Sequence, residues 1–257
     1  MVVNKRGEIN QSQGGRKLHQ LLQSEIKGAG IKIGRDKFFD FLRAHALLVP
    51  KLRAFHRTTN SNHNFKKFKN FVKNKIPNGP EELWVADITY IRLNGKHAYL
   101  ALITDAYSKK IVGYKLSTNM KASLTLDALK MALNGRKYPN KQLIHHSDRG
   151  FQYCWPEYVE TLQKAEIHIS MTEEYDPYEN AIAERINRTL KYEFALNQVI
   201  PNKTIATKMV RRAVSVYNSK RPHNSLNGRT PEDVHRNGNQ PYKSYRKMKE
   251  INFLNLN

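Results

Sequence analysis

The sequence of 257 residues is poor in cysteine and in acidic residues, and it contains no long apolar run. The single cysteine, Cys154, excludes an internal disulfide and a cysteine-rich zinc finger, and it is typical of a reducing compartment. No apolar stretch is long enough to span a bilayer, and the first residues do not resemble a signal peptide. We therefore expect a cytoplasmic protein without a membrane partner.

The excess of basic residues is the strongest compositional signal. The chain has 44 lysines and arginines against 22 aspartates and glutamates, which gives a formal net charge of +22. Such a chain binds polyanions, of which nucleic acid is the commonest; an anionic membrane surface is the alternative. Residues 51–75 hold eight of the basic residues and no acidic one. This segment is either a solvated linker or a contact to the DNA backbone, and we favour the second, with Lys66 and Lys67 as candidate contacts.

Residues 14–49 carry the pattern of two short amphipathic helices around a glycine-rich turn. The apolar positions are Leu18, Leu21, Leu22 and Ile26 in the first helix, and Phe38, Phe41, Leu42 and Ala46 in the second. Such a pair fits a DNA-binding helix-turn-helix and equally any other helical hairpin. In a helix-turn-helix, Arg35 and Lys37 are candidate DNA contacts.

The body of the protein begins at about residue 82. Two β-rich runs, "LWVADITYIRL" and "HAYLALITDAY", are joined through Asn94-Gly95, a strong hairpin signal. A third strand follows in "KIVGYKLS", and then helices and strands alternate up to the long helix "AIAERINRTLKYEFAL". This order predicts an α/β fold with a mixed five-stranded sheet and flanking helices, preceded by the small helical domain. It resembles the ribonuclease H-like fold.

Three carboxylates fall on elements that this fold brings to one edge of the sheet. Asp87 lies inside the first strand of the body, where aspartate is disfavoured. Asp148 ends the fourth strand in "HHSDRGFQY", and Glu184 lies in the first turn of the long helix. Each has a structural explanation when taken alone, as a turn residue or as a complement to the helix dipole. Together they predict a set of oxygen ligands for divalent cations.

The spacing of the acids and several sequence blocks resemble one family. Thirty-five residues separate Asp148 from Glu184, as in the acidic triad of retroviral integrases and related transposases. "WVADITYI", "YLALITDAYSKKIVGY", "LDALKMAL", "EYDPYENAIAERINRTLKYE" and "YNSKRPHNSLNGRTPEDV" resemble, in order, blocks of the family-three insertion-sequence transposases. The resemblance covers about residues 14–236. It implies metal-dependent DNA strand cleavage and strand transfer, with Asp87, Asp148 and Glu184 as catalytic metal ligands.

The resemblance also implies cofactors and partners. Two magnesium ions, for which manganese can substitute, would be held with Asp87 on both, Asp148 on one and Glu184 on the other. The partners would be double-stranded DNA from the element ends and the target, further copies of the chain on that DNA, and the product of the element's first reading frame. The expected location is the nucleoid of a bacterial cytoplasm.

Further DNA contacts are expected around the long helix. Lys191 lies two helical turns after Glu184 and on the same face, where the family has a basic residue, although a solvated surface lysine is the alternative. Arg188 is a weaker candidate. Asn180 matches a family position before the helix, and a helix N-cap is an equally good interpretation. His145 and His146 are either core residues or neighbours of the metal site.

The expected organisation has four parts. A helix-turn-helix-like region, which for this family is short at its beginning, spans 1–50, and a basic linker spans 51–80. The ribonuclease H-like integrase core spans 81–200, and a helical and basic tail spans 201–257. Two other functions were weighed. The complete triad disfavours a DNA-binding protein without activity, whereas a nuclease that only hydrolyses DNA is disfavoured by the helices and linker suited to holding specific DNA ends.

Overall fold

The computed structural model describes residues 1–9, 13–49, 63–73, 75–173, 181–238, 249–251 and 253. The helices are α1 (Val2–Glu8), α2 (Gly15–Gly28), α3 (Arg35–Ala44), α4 (Ala122–Asn134), α5 (Phe151–Cys154), α6 (Pro156–Lys164), α7 (Ala181–Glu193), α8 (Lys203–Ser219) and α9 (Pro231–Asn237). The strands are β1 (Lys75–Ile76), β2 (Leu83–Leu93), β3 (Lys96–Asp105), β4 (Ile111–Ser117), β5 (Ile144–Ser147), β6 (His168–Met171) and β7 (Lys249–Glu250). Among these helices, none has both the length and the apolarity needed to cross a bilayer.

A mixed five-stranded sheet with the order β4-β3-β2-β5-β6 forms the centre of the molecule. The strands β4, β3 and β2 are antiparallel, β5 pairs with β2 in parallel, and β6 pairs with β5 in parallel. Asn94 and Gly95 close the β2–β3 hairpin, and Gly95 has a φ of 73°, a left-handed conformation that glycine adopts at low cost. The predicted sheet and hairpin are confirmed.

Apolar side chains cover both faces of the sheet. Ala101 and Ile103 of β3 pack in the layer that contains α4 and α6, whereas Leu100 and Leu102 pack in the layer that contains α7 and α8. This alternation follows from the two-residue period of a strand. On β4, a Cβ atom at Gly113 would lie only 2.2 Å from a carbonyl oxygen of α4, so that α4 can pack this closely only against glycine.

Other parts of the chain lie against both edges of the sheet. At the β6 edge, the segment 63–73, which we call the basic strap, accepts a hydrogen bond from the Met171 N–H at 3.3 Å through the Lys69 carbonyl. The Phe71 N–H donates to Ser170 Oγ at 2.9 Å. At the β4 edge, the side chain of Asn218 bonds to both the N–H and the C=O of Ile111, at 3.0 and 2.9 Å. The described part of the expected linker is therefore packed on the core.

The N-terminal helices form a small unit with its own core. Leu18, Leu22 and Ile26 of α2 pack against two buried residues of α3, as the periodicity predicts. The prediction of one apolar face on α3 is only partly confirmed, because Phe41 is 41% exposed and α3 ends before Ala46.

This N-terminal unit contacts the domain of the five-stranded sheet through charged residues that are buried or half-buried. Lys17 Nζ lies 3.0 Å from Glu193 Oε1 at the end of α7, and Arg221 Nε lies 2.6 Å from Glu193 Oε2. Burial, together with the charge of Arg221, lowers the pKa of Lys17 to about 8, although Glu193 opposes this shift. One carboxylate therefore joins three separate elements.

A second buried ionic cluster attaches α9 to the sheet. His235 Nε2 lies 3.3 Å from Glu81 Oε1, and its Nδ1 lies 3.1 Å from Ser108 Oγ, which in turn donates to Asp105 Oδ1. Arg136 Nε contacts the other oxygen of Glu81 at 3.1 Å. Burial lowers the pKa of His235, but the nearby carboxylates of Asp105 and Glu81 outweigh burial and leave that pKa raised.

We predict that His235 makes folding stability dependent on pH. Because its pKa is raised in the folded state, the bound proton stabilises the fold below the ordinary value of about 6.5, and this contribution disappears as pH rises through the folded-state pKa. His235→Ala should lower the free energy of unfolding by about 3 kcal/mol at low pH and by less at high pH. Urea unfolding between about pH 6 and pH 9 measures this difference. Exposed His97→Ala is the control, and an equal loss at every pH would contradict the prediction.

Candidate active site

The pairing of β2 with β5 places two of the three predicted acids side by side. In this parallel pair Val85 is opposite His146. Two residues further along each chain are Asp87, inside β2, and Asp148, directly after the end of β5. Because both steps are of two residues, the two side chains share one face of the sheet. Adjacent strands thus bring together carboxylates that are distant in the sequence.

These two carboxylates line a small cleft. Its other lining residues are Ile88, Met120, Gly150, Gln152 and Tyr153. The Gly150 N–H donates to Asp148 Oδ1 at 2.9 Å, and a Cβ at position 150 would approach the same oxygen to 2.9 Å. The residues after Gly150 form α5, in which burial of Gln152 and Tyr153 holds the backbone in a helical turn.

Proximity of like charges perturbs the ionisation of Asp87. Burial and, next, the charge of Asp148 raise the pKa of Asp87 to about 7, with a smaller contribution from Glu184. Hydrogen bonds from Asn187 and from the Ile88 N–H act in the opposite direction. A carboxyl group in this position gains from a nearby cation, because a cation stabilises its charged form.

Glu184 lies at the rim of the site. It is in the first turn of α7, and its side chain is largely exposed. The burial of the remaining part of the side chain raises the pKa of Glu184. Within the described ranges, no three histidine, cysteine, aspartate or glutamate side chains lie close enough to hold one ion together. The structure thus brings Asp87 and Asp148 together and places Glu184 within electrostatic reach of Asp87. Asn180, the expected N-cap or DNA contact, lies outside the described residues.

Asn187 is a site residue that was not expected from the sequence. Its Nδ2 donates to Asp87 Oδ2 at 2.7 Å, and the residue is buried. Its Oδ1 is shielded from solvent and has no hydrogen-bond partner among the described residues. Asn187 follows Glu184 by three residues and therefore lies on the same side of α7. A polar residue within the buried stripe Ala183, Ile186 and Leu190 was the available signal.

The predicted DNA contacts fall in three places. Lys191 is half-buried on α7; burial lowers its pKa, and the charge of Asp87 raises it, so this lysine faces the acidic site. Arg188 is exposed on the same helix. The other candidates are also exposed, and they are Arg35 and Lys37 on α3, and Lys66 and Lys67 on the basic strap.

His145 and His146 occupy the core of β5. Tyr158 Oη lies 2.8 Å from His145 Nε2, and Ser170 Oγ lies 2.9 Å from His146 Nδ1. Burial, assisted by the neighbouring imidazole of His146, lowers the pKa of His145 to about 3. Both rings are inaccessible to solvent, which supports the interpretation of these histidines as core residues.

We predict that Asn187 fixes the orientation of the Asp87 carboxylate. If Asp87 binds metal for DNA strand joining, as the family resemblance implies, Asn187→Ala should lower joining by about 10- to 100-fold, as is typical when the hydrogen-bond partner of such a carboxylate is removed. DNA affinity should stay within about twofold, because many basic residues contribute to it. Exposed Asn140→Ala is the matched control. A parallel loss of joining and DNA affinity in Asn187→Ala would contradict the positioning role.

Comparison with known proteins identifies integrase cores and transposases as the relatives of this chain. The Integrase core domain family matches residues 77–177, and a second Integrase core domain family matches residues 165–231. The 31 kDa protein of insertion element IS600 from Shigella sonnei is 36% identical over 212 residues, which cover 82% of this chain and 78% of that protein. Transposase InsF for insertion sequence IS3A from Escherichia coli (strain K12) is 30% identical over 213 residues, which cover 82% of this chain and 74% of that protein.

The solved structures show the same fold. In the cryo-EM structure of the simian T-cell lymphotropic virus intasome in complex with PP2A regulatory subunit B56 gamma, one chain matches with a TM-score of 0.52 and 18% identity, covering 91% of this chain and 78% of that one. The family model, the relatives and the fold define a DDE-type polynucleotidyl transferase with an integrase-like, ribonuclease H-like core. The chain belongs to the IS3 family of bacterial insertion-sequence transposases, and it acts in DNA transposition.

Proposed function

We propose that Asp87, Asp148 and Glu184 are the catalytic carboxylates for DNA strand cleavage and strand transfer. The main support is the adjacency of Asp87 and Asp148 across the β2–β5 pair, together with the raised pKa of Asp87. Perturbed carboxylates in a cleft are typical of functional sites. Glu184 joins them from α7, and its charge already acts on Asp87.

The residues fit a site for hard divalent cations. Their donor atoms are carboxylate oxygens, which magnesium and manganese prefer, and the repulsion between Asp87 and Asp148 is the kind that a cation relieves. We propose two magnesium ions, replaceable by manganese, with Asp87 on both, Asp148 on one and Glu184 on the other. When bound, such ions stabilise negative charge on the attacking and leaving oxygens of a phosphodiester.

The chain's own hydrogen bonds prepare the carboxylates for this task. Asn187 and the Ile88 N–H each bond to one oxygen of Asp87, which limits rotation of its side chain. The Gly150 N–H does the same for Asp148. Ligands that are already oriented need little rearrangement during the reaction, and this preorganisation lowers its barrier.

We also propose how DNA is held. The unit of residues 1–50 binds the element ends through α3, with Arg35 and Lys37 as contacts, and the basic strap follows the DNA backbone with Lys66 and Lys67. Lys191 and Arg188 on α7 bind phosphates near the reacting bond, and Asn180 precedes them. Exposed cations on these elements support the assignment. The active form would be an oligomer of this chain on DNA in the nucleoid, together with the first reading frame's product.

We predict that Asp87→Asn, Asp148→Asn and Glu184→Gln each lower strand joining by at least about 100-fold, because each removes a charged ligand. DNA affinity should change by less than about twofold. In addition, magnesium should raise the melting temperature of the wild type more than that of any variant.

The matched control for the triad is Asp127→Asn, since Asp127 forms a surface ion pair with Lys115 on β4. If one of the triad variants keeps a tenth of wild-type joining activity, the residue changed in it is not a ligand of the proposed metal site. Cleavage without joining by the wild type would instead indicate a nuclease.

We predict that Lys191 positions DNA more than it adds affinity. Lys191→Ala should lower joining by about tenfold, because Lys191 holds a phosphate next to the acidic site. DNA binding should fall by no more than about threefold, because only one of many positive charges is lost. Lys191→Arg should keep more activity. Lys37→Ala, by contrast, should lower joining only as far as it lowers binding of the element ends. Exposed Lys203→Ala on α8 is the control, and identical behaviour of the Lys191 and Lys203 variants would refute the prediction.

A further inference from the structure

Three aromatic rings meet beside the active site. The ring centroids of Phe65, Phe151 and Trp155 are 5.2 to 5.6 Å apart in all three pairs. We call these residues the aromatic platform. Phe65 comes from the basic strap, and the other two come from the two ends of the short segment between Gly150 and α6. Trp155 is 36% exposed, whereas Trp84 is fully buried.

The aromatic platform is close to the catalytic carboxylates. Phe151 follows Gly150, whose N–H holds Asp148. The strap is fastened at this point, because His63 Nε2 lies 2.9 Å from the Arg149 carbonyl. The intervening helix α5 is buried on its other side, so the platform is the outward surface of this segment.

Cations border the aromatic platform. Lys66 and Lys67 follow Phe65 and are exposed. Arg149 is half-buried, and its Nε is shielded from solvent without a hydrogen-bond partner among the described residues. α6 carries two exposed acids, Glu157, which is 3.8 Å from Lys130, and Glu160, which is 3.9 Å from Lys164. The charges of Lys67 and Arg149 both act on Cys154, the residue before Trp155, so these two cations lie near the platform.

The packing of the basic strap on the core explains why an aromatic residue stands at position 65. It does not explain why Trp155 is exposed. Exposed aromatic rings combined with nearby cations are the usual means by which proteins bind unpaired nucleotides, since the base stacks on a ring and the phosphate contacts a cation. A protein partner would gain from the rings, but the lysines and Arg149 would then lack a counter-charge. Charge complementarity therefore favours a nucleic acid strand as the occupant.

We propose that the aromatic platform binds an unpaired nucleotide of the DNA strand next to the reacting phosphodiester. The base stacks on Trp155 and Phe65, and the adjoining phosphates contact Lys66, Lys67 and Arg149. This site separates the end of a strand from its complement and holds it near Asp148. The proposal rests on the proposed function, because it requires DNA in the cleft.

The test uses the full chain and two DNA probes, a blunt duplex and the same duplex with a single-stranded overhang, without divalent metal. Because Trp84 is buried, quenching of tryptophan emission reports on Trp155. The overhang should quench this emission at least about twice as strongly as the blunt end. Trp155→Ala should weaken binding of the overhang duplex by about 5- to 100-fold and leave the blunt duplex within about twofold.

Trp155→Phe keeps an aromatic ring and should retain most of the affinity for the overhang. Exposed Ile205→Ala on α8 is the control for loss of an apolar surface residue, and melting temperatures identify variants that fail to fold. Equal losses for both probes, or no loss in Trp155→Ala, would overturn the proposal. Joining by the wild type, measured separately, tests the proposed function, so that the two failures are distinguishable.

Discussion

The parallel pairing of β2 with β5 is the constraint on which the rest of the structure depends. It forces the carboxylates of Asp87, inside β2, and Asp148, directly after β5, into adjacent positions, where they repel each other and where burial disfavours the charge of Asp87. The apolar layers on both faces of the sheet supply the stability that permits this arrangement. An active site is thus maintained at a place where the sheet alone would favour apolar side chains.

Helix α7 connects this site to the N-terminal unit. Near its beginning it carries Glu184, and in the middle Asn187 bonds to Asp87. At its end, Glu193 is shared by Lys17 and Arg221. A movement of the N-terminal unit would therefore act on the same rigid element that positions two site residues. One helix thus contacts the acidic site near its beginning and the N-terminal unit at its end, two to three helical turns away.

The fold and the acidic site follow from local patterns with a simple geometry. The hairpin residues Asn94 and Gly95 define the start of the sheet. After β4, helices and strands alternate, and the crossover through α4 makes β5 parallel to β2, which brings Asp148 beside Asp87. The burial of Asn187 depends instead on tertiary packing. Helical periodicity alone does not show that a polar residue is buried. Charge density at 51–80 predicted a basic linker that contacts the DNA backbone, and it gave no sign that the phenylalanines at positions 65, 68 and 71 pack on the core, as they do. In each case a contact distant in the sequence outweighed the local signal.

Asn218 and the basic strap have a consequence for how copies of this protein associate. An unprotected sheet edge pairs readily with the strands of other molecules, and this leads to aggregation. Here a side-chain amide occupies the start of one edge, and the strap bonds to part of the other. Both edges are thus partly blocked against strand addition. Copies of this protein that meet on DNA are therefore less prone to join through their sheet edges.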